Sequence, residues 1–178
     1  MTVAAMVDLE TLDTIPNAQI LTIGAVKFDP NSLVTPYNEF YYRLELDDQT
    51  EKGRSISDST MEWWGKQSAE AINESFGEHN RHAVIDMLSA FKKWYVGCDE
   101  IWAQGINFDI SMLEHLHHQY DCPVPWAHWK VECSKTWLRI PPTDFRKQFD
   151  FTAHNALEDA KAQAKAVQLA RKWVYDRA

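Results

Sequence analysis

The apolar run that opens at Val3 and ends in Met6-Val7-Asp8-Leu9-Glu10 limits the fold of this chain more than any other stretch. It reads as a short buried strand that carries two acids at its end. Residues two apart on a strand point to the same face, so Asp8 and Glu10 present their carboxylates together. Like charges at the mouth of a core strand suffer both desolvation and mutual repulsion, so the pair does not stabilise the fold by itself. A divalent cation between them relieves that cost most simply. The plainer alternative is a strand ending in solvent with two exposed acids, and Asp-x-Glu alone leaves both readings open.

The chain has 178 residues, the size of one ordinary domain, and a single domain over residues 1–178 is expected. With 45% hydrophobic and 25% charged residues it reads as a soluble globular protein. No apolar run approaches the roughly 20 residues of a membrane span, and the N-terminus lacks the basic start and long apolar stretch of a signal peptide. No membrane partner and a cytoplasmic location are therefore expected. Cys98, Cys122 and Cys133 show no Cys-x-x-Cys spacing, which points to reduced structural thiols. The net charge of −8 argues against coating of long duplex nucleic acid. It leaves a nuclease open, because metal-binding acids inflate the negative count and bound cations offset it. Eight tryptophans go mostly to the core, with a few left to stack on bases.

Thr11 to Asn17 is turn-like, and Gln19 to Asp29 is a long strand with Gly24 inside it. Pro30-Asn31-Ser32 connects to a third strand, Tyr37 to Leu46, which completes an antiparallel meander. A polar stretch runs from Asp47 to Ser59, where Ser57-Asp58-Ser59 caps a helix through Thr60 to Trp64. His79 to Val96 has a one-sided apolar stripe and is expected to be a helix ended by Gly97. Then come a strand at Glu100 to Ala103, a helix at Phe108 to Tyr120, a break at Pro123 and Pro125, and a strand around Lys130 to Cys133. Asn155 to Tyr175 is Ala-rich and helical. A meander followed by alternating helices and strands predicts a mixed α/β sheet.

Three further residues bear on the opening pair. Asp109 follows the fourth strand and falls in the first turn of a helix, where free N–H groups favour an ionised acid. Asn107 caps that helix on this reading. Asp159 lies in the opening turns of the last helix, with Asn155 as its N-cap and Glu158 placed for a capping box; His154 sits just outside on the loop. Each of these is individually explained as an ordinary helix terminus. Together, Asp8, Glu10, Asp109 and Asp159 form a hard-oxygen set of the kind that Mg²⁺ or Mn²⁺ prefers. With His154 they are the parts for two-metal phosphodiester hydrolysis, in which two ions activate water and stabilise the leaving oxygen. His154 is suited to take the attacking water's proton near neutral pH.

The segments Val7-Asp8-Leu9-Glu10-Thr11, Asn107-Phe108-Asp109 and His154-Asn155-Ala156-Leu157-Glu158-Asp159, in that order, resemble the DEDDh-type 3′–5′ exonucleases of the RNase H-like superfamily. That group holds oligoribonuclease, RNase T and polymerase proofreading subunits. Asp58 to Trp64, followed by Gln67-Ser68, resembles phage-type exonuclease A and related short bacterial exoribonucleases. The resemblance implies an RNase H-like α/β fold: a mixed five-stranded sheet, three strands as an antiparallel meander and two parallel, flanked by helices. It implies a 3′–5′ exonuclease that releases nucleoside 5′-monophosphates from single-stranded RNA or DNA. The site would use two Mg²⁺ or Mn²⁺ ions, with Asp8, Glu10 and Asp159 holding the catalytic ion, Asp8 bridging to the second, Asp109 acting through water and His154 as general base. Substrate contacts are expected from Leu12 as an apolar wedge, Asn107 at the strand terminus and one of the adjacent Trp63 and Trp64 at a base, with Trp64 the first choice, although each also has a structural reading. Dimers are common among such relatives, and Trp126 to Trp129 offer a surface for one. The rival reading is a nucleic-acid-binding module on the same fold without turnover.

Overall fold

The computed structural model describes residues 1–149 and 153–177. Strands β1 (Ala4–Thr11), β2 (Ile20–Phe28) and β3 (Tyr37–Leu44) form the expected antiparallel meander. Strands β5 (Glu100–Ala103) and β6 (Val131–Cys133) add in parallel beside β1. A sixth strand, β4 (Arg81–His82), pairs in parallel with the outer edge of β3, and the order is β4-β3-β2-β1-β5-β6. The mixed sheet is thus as expected, with one more strand than the five predicted.

That extra strand corrects the helix expected over His79 to Val96. Helix α4 begins only at Val84 (Val84–Tyr95), because the residues before it are held on the sheet edge. His82 O accepts from Glu45 N at 2.9 Å, and the Arg81 guanidinium donates to Leu44 O at 2.6 Å and Ser75 O at 2.9 Å. A strand of two residues has no alternation to read, so only the partner strand reveals it. Gly97, with φ 85°, stops the helix as predicted. The short helices α1 (Asp47–Glu51), α3 (Ala69–Phe76) and α6 (Ser134–Leu138) escaped prediction for the same reason of length. Helix α2 (Asp58–Trp64) has the predicted cap: Ser57 Oγ accepts from Thr60 N at 3.2 Å. Helices α5 (Ser111–Gln119) and α7 (Ala156–Tyr175) complete the set among the described residues.

Alternation along β1 divides the interior in two. Ala5, Val7 and Leu9 pack with Met87, Leu88 and Phe91 of α4 and with Leu113 and Leu116 of α5. Ala4 and Met6, pointing the other way, pack with Ala160, Ala164 and Val167 of α7. Spacings of four and three put those α7 residues on one helical face. Small side chains there let α7 lie close to the sheet. The closest approach is at Gly24 of β2, where an added Cβ would stand 2.2 Å from the backbone of Ala156 and Leu157. Gly24 pairs in register with Asp8, so the first turn of α7 is pressed against the strand end that carries the acids.

Candidate active site

Asp8 and Glu10 continue the face of β1 that Ala4 and Met6 give to α7. On α7, Asp159 precedes the packed Ala160, and one turn further Gln163 donates Nε2–H to Asp8 Oδ1 at 2.7 Å. Packing of the alanine stripe therefore sets the height at which Asp159 meets the strand. Asp8, Glu10 and Asp159 each offer a carboxylate oxygen, and the three oxygens lie within 4.8 Å of one another.

The start of α7 also orients His154. Asn155 Oδ1 accepts from Leu157 N and Glu158 N, both at 3.1 Å, which is the predicted cap. The capping box is not closed, however, because the Glu158 carboxylate is drawn to Lys161 Nζ at 2.9 Å. Instead Asp159 Oδ2 accepts the His154 backbone N–H at 2.8 Å. His154 takes a left-handed conformation with φ 62°, uncommon for a side-chain-bearing residue, and its ring stands edge-on to Trp63 at a centroid distance of 4.8 Å. One carboxylate thereby serves both the acid cluster and the placement of the histidine.

Asp109 lies in a π-helical turn, Ile106–Ile110, that joins β5 to α5. Its Oδ1 accepts from Leu9 N and its Oδ2 from Gly105 N, both at 3.2 Å. The carboxylate is 4% exposed and stands outside the three-oxygen cluster, although it borders the same cavity. That cavity, about 680 Å³, is lined by all four acids and by His154, Trp63, Phe108, Lys135 and Arg146.

Burial and mutual repulsion keep these acids from ionising easily. Burial pushes the Asp8 carboxyl well above the usual range, helped by the charges of Asp109, Glu10 and Asp159. Burial, with Asp159 and Asp109, pushes Glu10 up to about 8. Asp109 is pushed up to about 7 by burial, against the pull of its backbone N–H bonds, and Asp159 is raised by burial against its bond from His154. A buried set of hard oxygen donors that repel one another is the environment a small divalent cation satisfies, so the residues fit the expected metal.

The comparisons with known proteins agree with this geometry. A family model described as the Rv2179c-like 3′-5′ exoribonuclease domain matches residues 3–170. The chain belongs to this family. An exodeoxyribonuclease of Enterobacteria phage T4 is 28% identical over 123 aligned residues, covering 62% of this chain; the chain spans about half, 54%, of that relative. In fold it resembles the nuclease domain of 3′hExo, a DEDDh family member solved with rAMP, at TM-score 0.61, 14% identity and coverage of 96% and 92% of the two chains. Exonuclease I of E. coli, solved with an oligonucleotide, superposes at TM-score 0.63 with 11% identity, covering 99% of this chain and 43% of that one. Membership of this exoribonuclease-domain family and a fold shared with solved nucleases agree with the mixed α/β architecture expected of the chain.

Of the three residues expected at the substrate, Leu12 and Asn107 lie off the cavity and Trp64 lines it. Leu12 is 2% exposed and packs with Leu21, Trp64 and Ala71, so it is core and does not reach the cavity as a wedge. Asn107 is exposed, caps nothing and does not line the cavity, because the π-turn gives the N-terminal N–H of Gly105 to Asp109 instead. Trp64 touches the cavity wall but is 2% exposed and anchored by Nε1–H to Thr11 O at 2.9 Å. Its neighbour Trp63, 41% exposed, is the open indole. Adjacent helical positions face apart, and only the packing of α2 tells which tryptophan faces out. Trp126 is likewise buried, donating to Glu114 at 2.9 Å, while Trp129 is exposed, so the proposed Trp126 to Trp129 surface is reduced to one end. Gln163, Lys135 and Arg146 were missed, since no motif spacing marks them. No helix among the described residues is long and apolar enough to cross a membrane.

The raised carboxyls make a prediction for the metal-free protein. A group whose folded pKa lies above its unfolded value near 4 stabilises the fold at low pH, and that contribution is lost as pH rises through the folded pKa. With Glu10 near 8 and Asp109 near 7, the chelated protein should melt progressively lower between about pH 5 and 8. Mn²⁺ should raise the melting temperature most at the alkaline end. Thermal melts with and without a chelator at both pH values check this; a chelated melt that is flat or rises over the range rejects it.

Proposed function

We propose that this protein is a divalent-cation-dependent 3′–5′ exonuclease that degrades single-stranded nucleic acid to nucleoside 5′-monophosphates. The observation that carries the reading is the convergence of Asp8, Glu10 and Asp159 within 4.8 Å beside a cavity that His154 also lines. The three acids would hold one cation, and Asp8 a share of a second. Bound there, such ions polarise the phosphodiester and lower the pKa of water. Asp109, committed to two backbone N–H groups, supports the site through its charge and through water. His154 accepts the proton of the attacking water as the bond from phosphorus to the 3′-oxygen breaks. Its ring is held by Trp63, and its main chain by Asp159.

Trp63, 41% exposed and lining the cavity, is the better placed of the two tryptophans to stack on a base. The matching family model is named for an exoribonuclease and the phage relative for an exodeoxyribonuclease, so strands of either sugar are candidate substrates. Matched RNA and DNA oligonucleotides labelled at the 5′ end and incubated with Mn²⁺ should shorten one nucleotide at a time. Trp63→Ala should raise KM by about 5- to 100-fold, as loss of one stacked base does. Binding without shortening would favour the rival binding module, and internal cuts would indicate an endonuclease.

A further inference from the structure

Of the permanent cations on the described chain, Arg146 and Lys135 line the cavity that holds the four acids. Arg146 is a preset fork. Its Nε donates to Asp144 Oδ1 and Oδ2 at 3.1 Å, its Nη2 to Asp144 Oδ2 at 2.6 Å, and its Nη1 to Gln104 Oε1. Asp144 is itself fixed, accepting the Arg146 backbone N–H at 3.0 Å. A guanidinium carries five N–H donors. Among the described residues these contacts use three, leaving one hydrogen on each terminal nitrogen to meet the oxygens of a phosphate. The side chain is about a third exposed, at 32%, and borders the cavity.

We propose that Arg146 is a substrate-binding residue that grips a phosphate of the bound strand next to the acid cluster, with Asp144 and Gln104 as positioning residues that aim it. This rests on the exonuclease reading, because a strand whose end lies among the acids must pass its backbone along the cavity wall. A cavity lined by four acids repels polyphosphate until cations fill it, and a fixed fork supplies attraction as well as register. The alternative use of Arg146 is only to neutralise its acidic surroundings. The two uses differ in what a substrate phosphate contributes.

The test is steady-state degradation of a short oligonucleotide in Mn²⁺ by wild type, Arg146→Ala, Arg146→Lys and Asp144→Asn. Expected for Arg146→Ala is a KM raised roughly 10- to 100-fold, the value of a charge-assisted contact, with kcat changed far less. The dependence of log KM on log salt should flatten by about 0.7, as for one phosphate contact on a single strand. Arg146→Lys, which keeps charge but not the fork, should fall between, and so should Asp144→Asn, with its salt dependence intact. Replacing single phosphates near the 3′ end by neutral methylphosphonates should cost the wild type at one position and cost Arg146→Ala nothing there. A KM within twofold of wild type, an unchanged salt dependence, or a methylphosphonate penalty that survives in Arg146→Ala overturns the proposal. Mn²⁺ titration calorimetry separates this from collapse of the acid site: affinity equal to wild type is expected, and a loss that parallels KM overturns the assignment. If the wild type does not shorten the strand at all, the exonuclease reading fails instead, and fluorescence anisotropy of the same labelled strand then carries the same comparison, Arg146→Ala binding more weakly or refuting the contact.

Discussion

Asp8→Asn is expected to lower kcat/KM by on the order of 10³-fold, since a bound cation supplies several kcal/mol of transition-state stabilisation and each 1.36 kcal/mol is tenfold. The substitution is nearly isosteric, and the asparagine oxygen can still accept from Gln163, which donates to Asp8 Oδ1 at 2.7 Å in the native protein. The fold should therefore survive. Because Asp8 is repelled by Asp109, Glu10 and Asp159, the chelated variant should melt above the chelated wild type near pH 8. Loss of activity joined to a gain in metal-free stability distinguishes a metal ligand from a structural acid, whose removal costs stability. Oligonucleotide degradation and paired thermal melts provide both readouts, and undiminished cleavage by the variant would sink the assignment of Asp8.

Gly24→Ala should be the most damaging change that adds a single methyl group. An alanine Cβ there stands 2.2 Å from Ala156 C and Leu157 N, which are main-chain atoms that no rotamer change can move. Relief requires the start of α7 to lift from β2, at a cost of about 3 kcal/mol for overpacking of this kind. For a protein of this size that corresponds to a melting temperature lower by roughly 6–12 °C. Since Asp159 rides on the same turn and Gly24 pairs with Asp8, activity should fall further than stability alone explains, with weaker Mn²⁺ binding. Gly65→Ala is the control: nothing stands closer than 3.6 Å to its added carbon, so it should melt within a degree or two of wild type.

Much of this site was legible as residue types. Asp8 and Glu10 were placed on one face by strand alternation, and they occupy it. Asn155 was read as the cap of the last helix and is. What no local pattern shows is which side chain the packing claims and which it leaves open to the cavity. Trp63 and Trp64 are indistinguishable by composition, yet the core of Leu12, Leu21 and Ala71 claims Trp64. Asn107 has the chemistry of a cap, but Asp109 reaches back to Gly105 first. Arg146 belongs to no motif, and its pairing with Asp144, two residues away, would suggest a solvated surface contact to any local reading.

The sequence by itself determined the strand with its paired acids, the capped final helix, the meander and the set of five chemical groups, because each follows from short-range periodicity, capping and residue chemistry. The spacing of those groups was decided by tertiary structure alone: Asp159, some 150 residues beyond Asp8 in the chain, comes within 4.8 Å of Asp8 and Glu10, while Asp109 stands outside that cluster. That choice comes from the alanine stripe of α7 seating on Ala4 and Met6 and from the missing side chain at Gly24. Contact of that kind depends on volumes filled by distant parts of the chain, which no local pattern encodes.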